Sequence, residues 1–551
     1  MEKEFSSKSR NRILEKMANE KYDLFIIGGG ITGAGIALDA ATRGMKTAMV
    51  DMQDFAGGTS SRSTKLVHGG LRYLKQFEVK MVSEVGKERA IVYENGPHVT
   101  TPEWMVLPIY KGGTFGKFST SIGLRMYDFL AGVKRAERRK MLSTQDVLKK
   151  EPLLKKEGLR GGGYYVEYRT DDARLTIEVI KEAVVSGADA LNYTKVEELL
   201  YEEDRIIGVK VKDLLSERTF RIFANKVINA TGPWVDTIRE KDQSKSGKSL
   251  QLTKGVHFVI DKSRFPLKQA IYFDTMDNRM IFAIPRDGKT YVGTTDTVYE
   301  GDIINPRMAA SDRSYLIEAI NHMFPSLKLK ETDIESSWSG LRPLIHQDGK
   351  SPSEISRKDE IWISQSGLIS IAGGKLTGYR KMAEEIVDQV STLFKAEGKD
   401  YPKCKTREMP ISGGKVGGSK NFQAFKKQKV VEGEQLGLTR KEAIYLVSMY
   451  GSNVNTVYAI IKRVRGREKS LDLPIILYAQ LLYAIDYEMT ATPVDFFIRR
   501  TGALYFNIDL VRKWKNPVNK VMQQTLNWSN QKASKYSNEL DNRMNEVNGD
   551  A

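Results

Sequence analysis

The sequence predicts an α/β chain that ends in an all-helical domain, and three observations predict it. An apolar run stops at a glycine turn and is followed by a small-residue helix and a second apolar run. Short alternating runs crowd residues 250–300, and beyond residue 420 the apolar spacing is helical. At 551 residues the chain exceeds one simple core and is expected to divide into domains.

In chain order, residues 1–20 are a polar leader with a helical pattern from about residue 7. Asp23-Leu24-Phe25-Ile26-Ile27 reads as a buried strand cut off by glycines. Residues 31–43 read as a helix ending at Gly44, and residues 46–50 as a second strand ending in Asp51. An amphipathic helix is expected over 174–186, and strands over 209–212 and 226–229. Alternation at 256–260, 280–284 and 291–293 predicts an antiparallel sheet. Residues 368–372, Gly373-Gly374-Lys375 and 377–390 read as strand, turn and helix. Proline and glycine mark a linker at 401–420, and helices follow at 441–449, 454–463 and 473–485. The last 20 residues are polar and expected to fray. These elements predict a nucleotide-binding domain interleaved with a second, sheet-rich domain over 21–400. The second lies mainly at 100–165 and 250–335, and a helical domain spans 421–551.

Composition narrows the function. The single cysteine, Cys404, excludes an intramolecular disulfide and a multi-cysteine metal site, and its surroundings carry no catalytic signal. No His/Asp/Glu cluster has metal-ligand spacing. The N-terminus lacks the apolar core of a secretory signal, and the longest apolar stretch, 473–485, is too short for a span. The expected location is cytoplasmic, with attachment to the inner face of the cell membrane as the variant. The net charge of +17 raises nucleic acid, anionic lipid or a small anionic substrate as partners. Residues 402–551 hold 24 Lys/Arg against 14 Asp/Glu. Lys462-Arg463-Val464-Arg465-Gly466-Arg467, with the apolar helix after it, reads equally as a lipid-docking face or an ordinary basic cap. Without aromatic interleaving, nucleic acid is not expected as a partner.

Gly28-x-Gly30-x-x-Gly33 sits between strand and helix as a dinucleotide turn requires. The first glycine permits the tight turn, the second lets a pyrophosphate approach the backbone, and the third lets helix and strand pack closely. Asp51, 18 residues past Gly33, is placed to accept hydrogen bonds from ribose hydroxyls. A Rossmann-like unit follows, but the spacing alone does not separate FAD from NAD.

Further along stands Thr59-Ser60-Ser61-Arg62-Ser63-Thr64-Lys65-Leu66-Val67-His68-Gly69-Gly70-Leu71-Arg72-Tyr73-Leu74. Other blocks are Asp171-Asp172-Ala173-Arg174-Leu175, Asn229-Ala230-Thr231-Gly232-Pro233-Trp234, Lys254-Gly255-Val256-His257 and Gly293-Thr294-Thr295-Asp296. Ser339-Gly340-Leu341-Arg342-Pro343-Leu344, Gly373-Gly374-Lys375-Leu376-Thr377-Gly378-Tyr379-Arg380-Lys381 and Asp495-Phe496-Phe497-Ile498-Arg499-Arg500-Thr501 complete the set. In these blocks, over about residues 20–515, the chain resembles the FAD-dependent glycerol-3-phosphate dehydrogenases. Gly378 departs from the threonine common there.

The resemblance implies a D-amino-acid-oxidase-like core with a helical C-terminal domain, and FAD as cofactor. It implies oxidation of glycerol 3-phosphate to dihydroxyacetone phosphate in glycerol catabolism, with electrons passed to a quinone. A second copy of the chain and a membrane surface stand among the expected partners. It also implies flavin contacts from Thr59, Ser60, Ser61, Lys65, His68, Gly69, Thr231, Gly232, Gly373, Gly374, Lys375, Leu376 and Thr377. Two alternatives remain: an oxygen-using oxidase of the same fold, whose long middle insertion is missing here, and a non-catalytic FAD- or RNA-binding protein.

That reaction needs cations for a phosphate dianion and a base for the C2 hydroxyl proton. Arg72, Arg342, Arg357 and Lys375 are the cationic candidates, with Tyr73 beside Arg72 in the same block. Arg342 stands before a proline among glycines and reads as a loop residue. Lys375, after a Gly-Gly turn at a helix start, opposes the helix dipole unless an anion sits beside it. Of the five histidines, His257 is out of phase with Val256 and Phe258 and faces a possible substrate cavity. His68 more readily lines the flavin, and His98 and His322 have no supporting context.

Overall fold

Strand β1 (Lys21–Ile27) is apolar because it is central: all but its first and third residues are buried. The sheet around it runs β17 (Glu360–Ile363), β18 (Ile369–Ala372), β10 (Thr219–Asn229), β1, β2 (Thr47–Val50) and β7 (Asp189–Leu191). From β18 to β7 every neighbour is parallel; β17 is an antiparallel edge. A hairpin of β8 (Thr194–Glu202) and β9 (Arg205–Asp213) extends β10. Helices Ile31–Thr42, Asp172–Val185 and Tyr379–Ala396 pack on one another beside the sheet, so its strands read as continuous apolar runs. The computed structural model describes residues 5–68, 79–113, 116, 120, 122–126, 137–346, 359–466 and 472–549.

The second sheet joins segments from both sides of the first. β3 (Leu66–Val67), β4 (Thr100–Tyr110), β5 (Lys140–Leu142) and β6 (Leu159–Thr170) meet β11 (Leu250–Asp261), β12 (Ala270–Asp274), β13 (Met280–Arg286), β14 (Lys289–Gly293), β15 (Thr297–Val298) and β16 (Ile334–Ile345). It is antiparallel except where β12 runs parallel to β4. Along β11, Val256, Phe258 and Ile260 pack into the core that holds helix Ala310–Met323, while His257 and Val259 turn to the other face.

Helices over Phe422–Gln435, Arg440–Tyr450, Val454–Val464 and Ile475–Tyr487 form the C-terminal part, as the apolar spacing predicts. A π-helical turn, Asp495–Arg500, fastens that part to the nucleotide-binding sheet. Arg499 and Arg500 both reach Asp54, at 2.5 and 2.8 Å. Burial alone would raise the Asp54 pKa, but the two guanidinia hold it at about 2.

One expectation changes. Up to residue 549 the tail does not fray: helix Asn530–Asn548 buries Ala533, Tyr536, Leu540, Met544 and Val547, one apolar stripe in a polar run, and Ser337 donates to the Val547 carbonyl. Apolar helix Ile475–Tyr487 is buried in the core of the helical part, so its face is not free to dock on lipid. The stretch 401–420 is irregular but packed, with Asn95 donating to the Thr406 carbonyl and Ser419 to Glu94. The leader is stapled too: Ser6 and Ser7 donate to carbonyls of Ile485 and Thr490, and buried Arg10 pairs with Asp213.

Candidate active site

The glycine turn closes because side chains are missing from it. Gly28 holds φ +112°, and a Cβ on Gly33 would stand 1.9 Å from the Gly28 carbonyl oxygen. Gly33 therefore packs helix against strand and does not line the cleft. Ser60 accepts from the Ile31 N–H at 2.9 Å, next to the bare Gly30, which tethers the 59–61 turn to the helix N-terminus. Asp51 accepts from the Gly29 and Gln53 N–H groups at 2.7 and 2.8 Å. Burial nevertheless raises its pKa to about 6.

These groups line one lobe of a cleft, about 1350 Å³, with Thr59, Thr231, Gly232 and Lys375. Sequence reasoning missed Lys195, Val196, Trp234 and Lys241 in this wall. Trp234 closed the quoted block at 229–234, so the signal was at hand.

A second lobe, about 1040 Å³, gathers His68, His257, Arg342 and Thr377. Thr59, Pro343 and Gly373-Gly374-Lys375-Leu376 border both lobes, so the two adjoin. Gly373 and Gly374 take φ values of +79° and +92°, which lets the chain turn from β18 toward helix Tyr379–Ala396 at this junction. Gly378 has open space where a Cβ would stand, so a threonine would fit there. Gly69, Arg72, Tyr73 and Arg357 lie outside the described residues.

Arg342 corrects the loop reading: it sits in β16 opposite Thr253. Its guanidinium donates to Asp296 at 3.1 Å, the Thr295 carbonyl at 3.2 Å and the Thr294 hydroxyl at 3.0 Å. A Cβ on Gly255 would stand 2.3 Å from Nη2, so the bare glycine makes room for the fork.

His257 stacks on Trp338 at 5.0 Å, and its Nε2 lies 2.9 Å from the Thr64 hydroxyl. Its Nδ1 is buried without a partner. Burial, then Arg342 and Lys65, lower its pKa well below 6.5, so the ring is neutral at pH 7 and can accept a proton. Lys65 lines neither lobe. Its ammonium is held by Asp172 at 2.6 Å and the Ser61 carbonyl at 2.9 Å, and Asp172 also accepts from the Ser63 N–H and hydroxyl. This buried pair fixes the loop that presents Thr64 to His257. Ser61 also lines neither lobe, and its hydroxyl oxygen is buried.

The histidines without context stay outside. Buried His98 packs between Gly413 and Gly451, and exposed His322 sits on helix Ala310–Met323. Burial pushes up the pKa of Cys404.

Residues 23–380 match the family model for FAD dependent oxidoreductases, and residues 404–533 match that for the C-terminal domain of alpha-glycerophosphate oxidase. The chain is 63% identical over 548 residues to the aerobic glycerol-3-phosphate dehydrogenase of Bacillus subtilis, covering 99% of each. It is 58% identical to the protein of that name in Staphylococcus haemolyticus, covering 98% of each. Among solved structures, the glycerol-3-phosphate dehydrogenase from Bacillus halodurans complexed with FAD superposes with a TM-score of 0.87 at 51% identity, covering 99% of this chain and 98% of that one.

Proposed function

Because the chain belongs to the FAD dependent oxidoreductases, and within them to the glycerol-3-phosphate dehydrogenase family, we propose that it oxidises sn-glycerol 3-phosphate to dihydroxyacetone phosphate. The observation that supports this reading is that the two lobes adjoin at Gly373-Gly374-Lys375-Leu376. A dinucleotide whose diphosphate rests on the Gly28–Gly33 turn can place its far end beside Arg342 and His257.

The residues fit FAD. The turn is cleared to backbone, the Ile31 helix start and Ser60 face the lobe, and Asp51 offers the ribose a carboxylate. FAD, when bound, accepts the two electrons and the hydrogen from C2 of the substrate. The protein supplies the rest. Arg342 grips the phosphate through its fork, held in place by Asp296 and Thr294. Lys375 adds a second positive charge at the junction of the lobes. His257 takes the C2 hydroxyl proton. A dianion arriving beside Arg342 offsets one of the charges that depress the His257 pKa, so the base strengthens as the substrate binds. Arg72, Tyr73 and Arg357 are proposed to complete the phosphate site.

We further propose a quinone as electron acceptor, a role in glycerol catabolism, and work at the inner face of the cell membrane. Among the described residues no helix is long and apolar enough to cross a membrane. The test is anaerobic. Adding glycerol 3-phosphate to the FAD-loaded enzyme should bleach the flavin absorbance, and a soluble quinone should restore it. An enzyme that keeps its colour would sink the reading. Recovery with oxygen and peroxide, but not with quinone, would turn it into an oxidase.

A further inference from the structure

His257 is closed on most sides to a proton arriving from the substrate lobe. The residue is 2% exposed, and its Nδ1 is buried without a partner, so that nitrogen does not open on the lobe. Trp338 stacks on one face of the ring. At the ring's edge, a Cβ on Gly293, which pairs with His257 across β11 and β14, would stand 2.1 Å from Cδ2 and 2.7 Å from Nε2. That leaves Nε2 itself, and the group lying on it is the Thr64 hydroxyl at 2.9 Å.

Thr64 is held in that place by its neighbours. Tyr291 donates to the Thr64 carbonyl at 3.1 Å. Trp338 donates from its indole Nε1 to the Ser63 carbonyl at 3.1 Å, while the same indole carries the His257 ring. Lys65 takes a left-handed φ of +56° and is anchored on Asp172, which also accepts from the Ser63 N–H. One tryptophan therefore sets both the imidazole and the loop that meets it. Unlike His257, Thr64 is only half-buried, and it lines the substrate lobe together with Arg342. A residue that only braced the ring would need no place in that wall. A hydroxyl both accepts and donates, so it can take a proton on one side as it releases its own on the other.

We propose that Thr64 is a catalytic residue, a hydroxyl relay that passes the C2 hydroxyl proton of the substrate to Nε2 of His257. This rests on the reading of His257 as the base. The C2 O–H bond breaks and its proton joins the Thr64 oxygen, whose own proton joins Nε2. The electron pair left on the C2 oxygen becomes the second bond of the ketone as the hydride leaves C2 for the bound FAD. Thr64 ends with a proton, as it began, and His257 carries the positive charge.

The test follows anaerobic flavin bleaching by saturating glycerol 3-phosphate in the FAD-loaded, full-length enzyme. Thr64→Val, which keeps the shape and loses the hydroxyl, should slow bleaching about 100-fold or more, and Thr64→Ser should keep most of the rate. Both variants should retain FAD, since Thr64 lies outside the dinucleotide lobe, and should bind dihydroxyacetone phosphate as the wild type does. In mixtures of light and heavy water the wild-type rate should fall along a bowed curve, because the relay moves one proton onto Thr64 and another off it. A Thr64→Val enzyme that bleaches at the wild-type rate, while His257→Gln does not, would keep the base and overturn the relay. Normal bleaching in both variants would remove the base and the relay together. A straight heavy-water dependence in the wild type, or a Thr64→Val rate loss matched by lost affinity for dihydroxyacetone phosphate, also overturns the relay.

Discussion

In the proposed function the two lobes of the cleft meet the same problem, holding an anion-bearing molecule, with different means. At its glycine-turn end the dinucleotide lobe is mostly main chain, a turn, a helix start and one carboxylate close together in sequence, while Lys195, Trp234 and Lys241 join its wall from farther along the chain. The substrate lobe is mostly side chain, and its key groups come from β3's preceding loop, β11, β16 and the turn after β18. Local geometry makes the first lobe tolerant of distant change and intolerant of a single added carbon. The second depends on long-range contacts, such as that of Thr64 with His257 across 193 residues.

The largest effect should come from breaking the first lobe. Gly33→Val places a Cβ 1.9 Å from the Gly28 carbonyl, an overlap that no rotamer relieves. The ratio of visible flavin absorbance to protein should fall about tenfold or more. Full flavin content in this variant would mean that the turn does not carry the cofactor.

Breaking the second lobe should spare the flavin and remove the chemistry. In Arg342→Gln the kcat/KM for glycerol 3-phosphate should drop about 100-fold or more at unchanged FAD content. Arg342→Lys should recover little, because one ammonium cannot reproduce the fork held by Asp296, Thr295 and Thr294. An Arg342→Gln enzyme with a normal KM would place the phosphate elsewhere.

His257 sharpens the contrast through pH. Burial, then Arg342 and Lys65, depress its pKa, so it stays neutral and active well below pH 6.5 in the free enzyme. Once a phosphate dianion offsets Arg342, its pKa rises. The acid limb of kcat should therefore lie at higher pH than the enzyme's own limb in kcat/KM. His257→Gln should lower kcat about 100-fold or more and abolish the kcat limb, leaving only the limb from the substrate's phosphate. Coincident limbs that survive the substitution would remove His257 as the base.

The same contrast explains what could be read from sequence. The glycine turn, its two strands and Asp51 were legible because their signal is local and geometric. The side to which His257 turns was legible from strand alternation. Arg342 was misread as a loop residue because glycine and proline flank it. Pro343 is tolerated in β16 because, among the described residues, that strand pairs only with β11, so the missing N–H removes no bond on its open edge. Trp338, Thr64 and the Lys65–Asp172 pair matter only through partners far away in sequence, which no spacing reveals. The tail differs from expectation because a stripe of five buried residues is invisible in an average over polar neighbours.

The smallest expected effect returns to the first lobe, where Asp51 is the group that titrates. Burial raises its pKa to about 6, although two backbone N–H groups favour the carboxylate. Ribose hydroxyls donate to the ionised form, so FAD affinity should fall as the carboxyl takes up its proton. Between pH 7.5 and 5.5 the ionised fraction for such a group drops about fourfold, and affinity should follow. The sign is opposite to that of the substrate lobe: there, binding raises the pKa of the titrating group, whereas FAD should lower that of Asp51. Asp51→Asn should weaken FAD binding at pH 7.5 and flatten its dependence over this range, read by flavin fluorescence on reconstitution. A variant that keeps the wild-type slope would show that the proton is taken up elsewhere, and the dinucleotide lobe would then be held by its main chain alone.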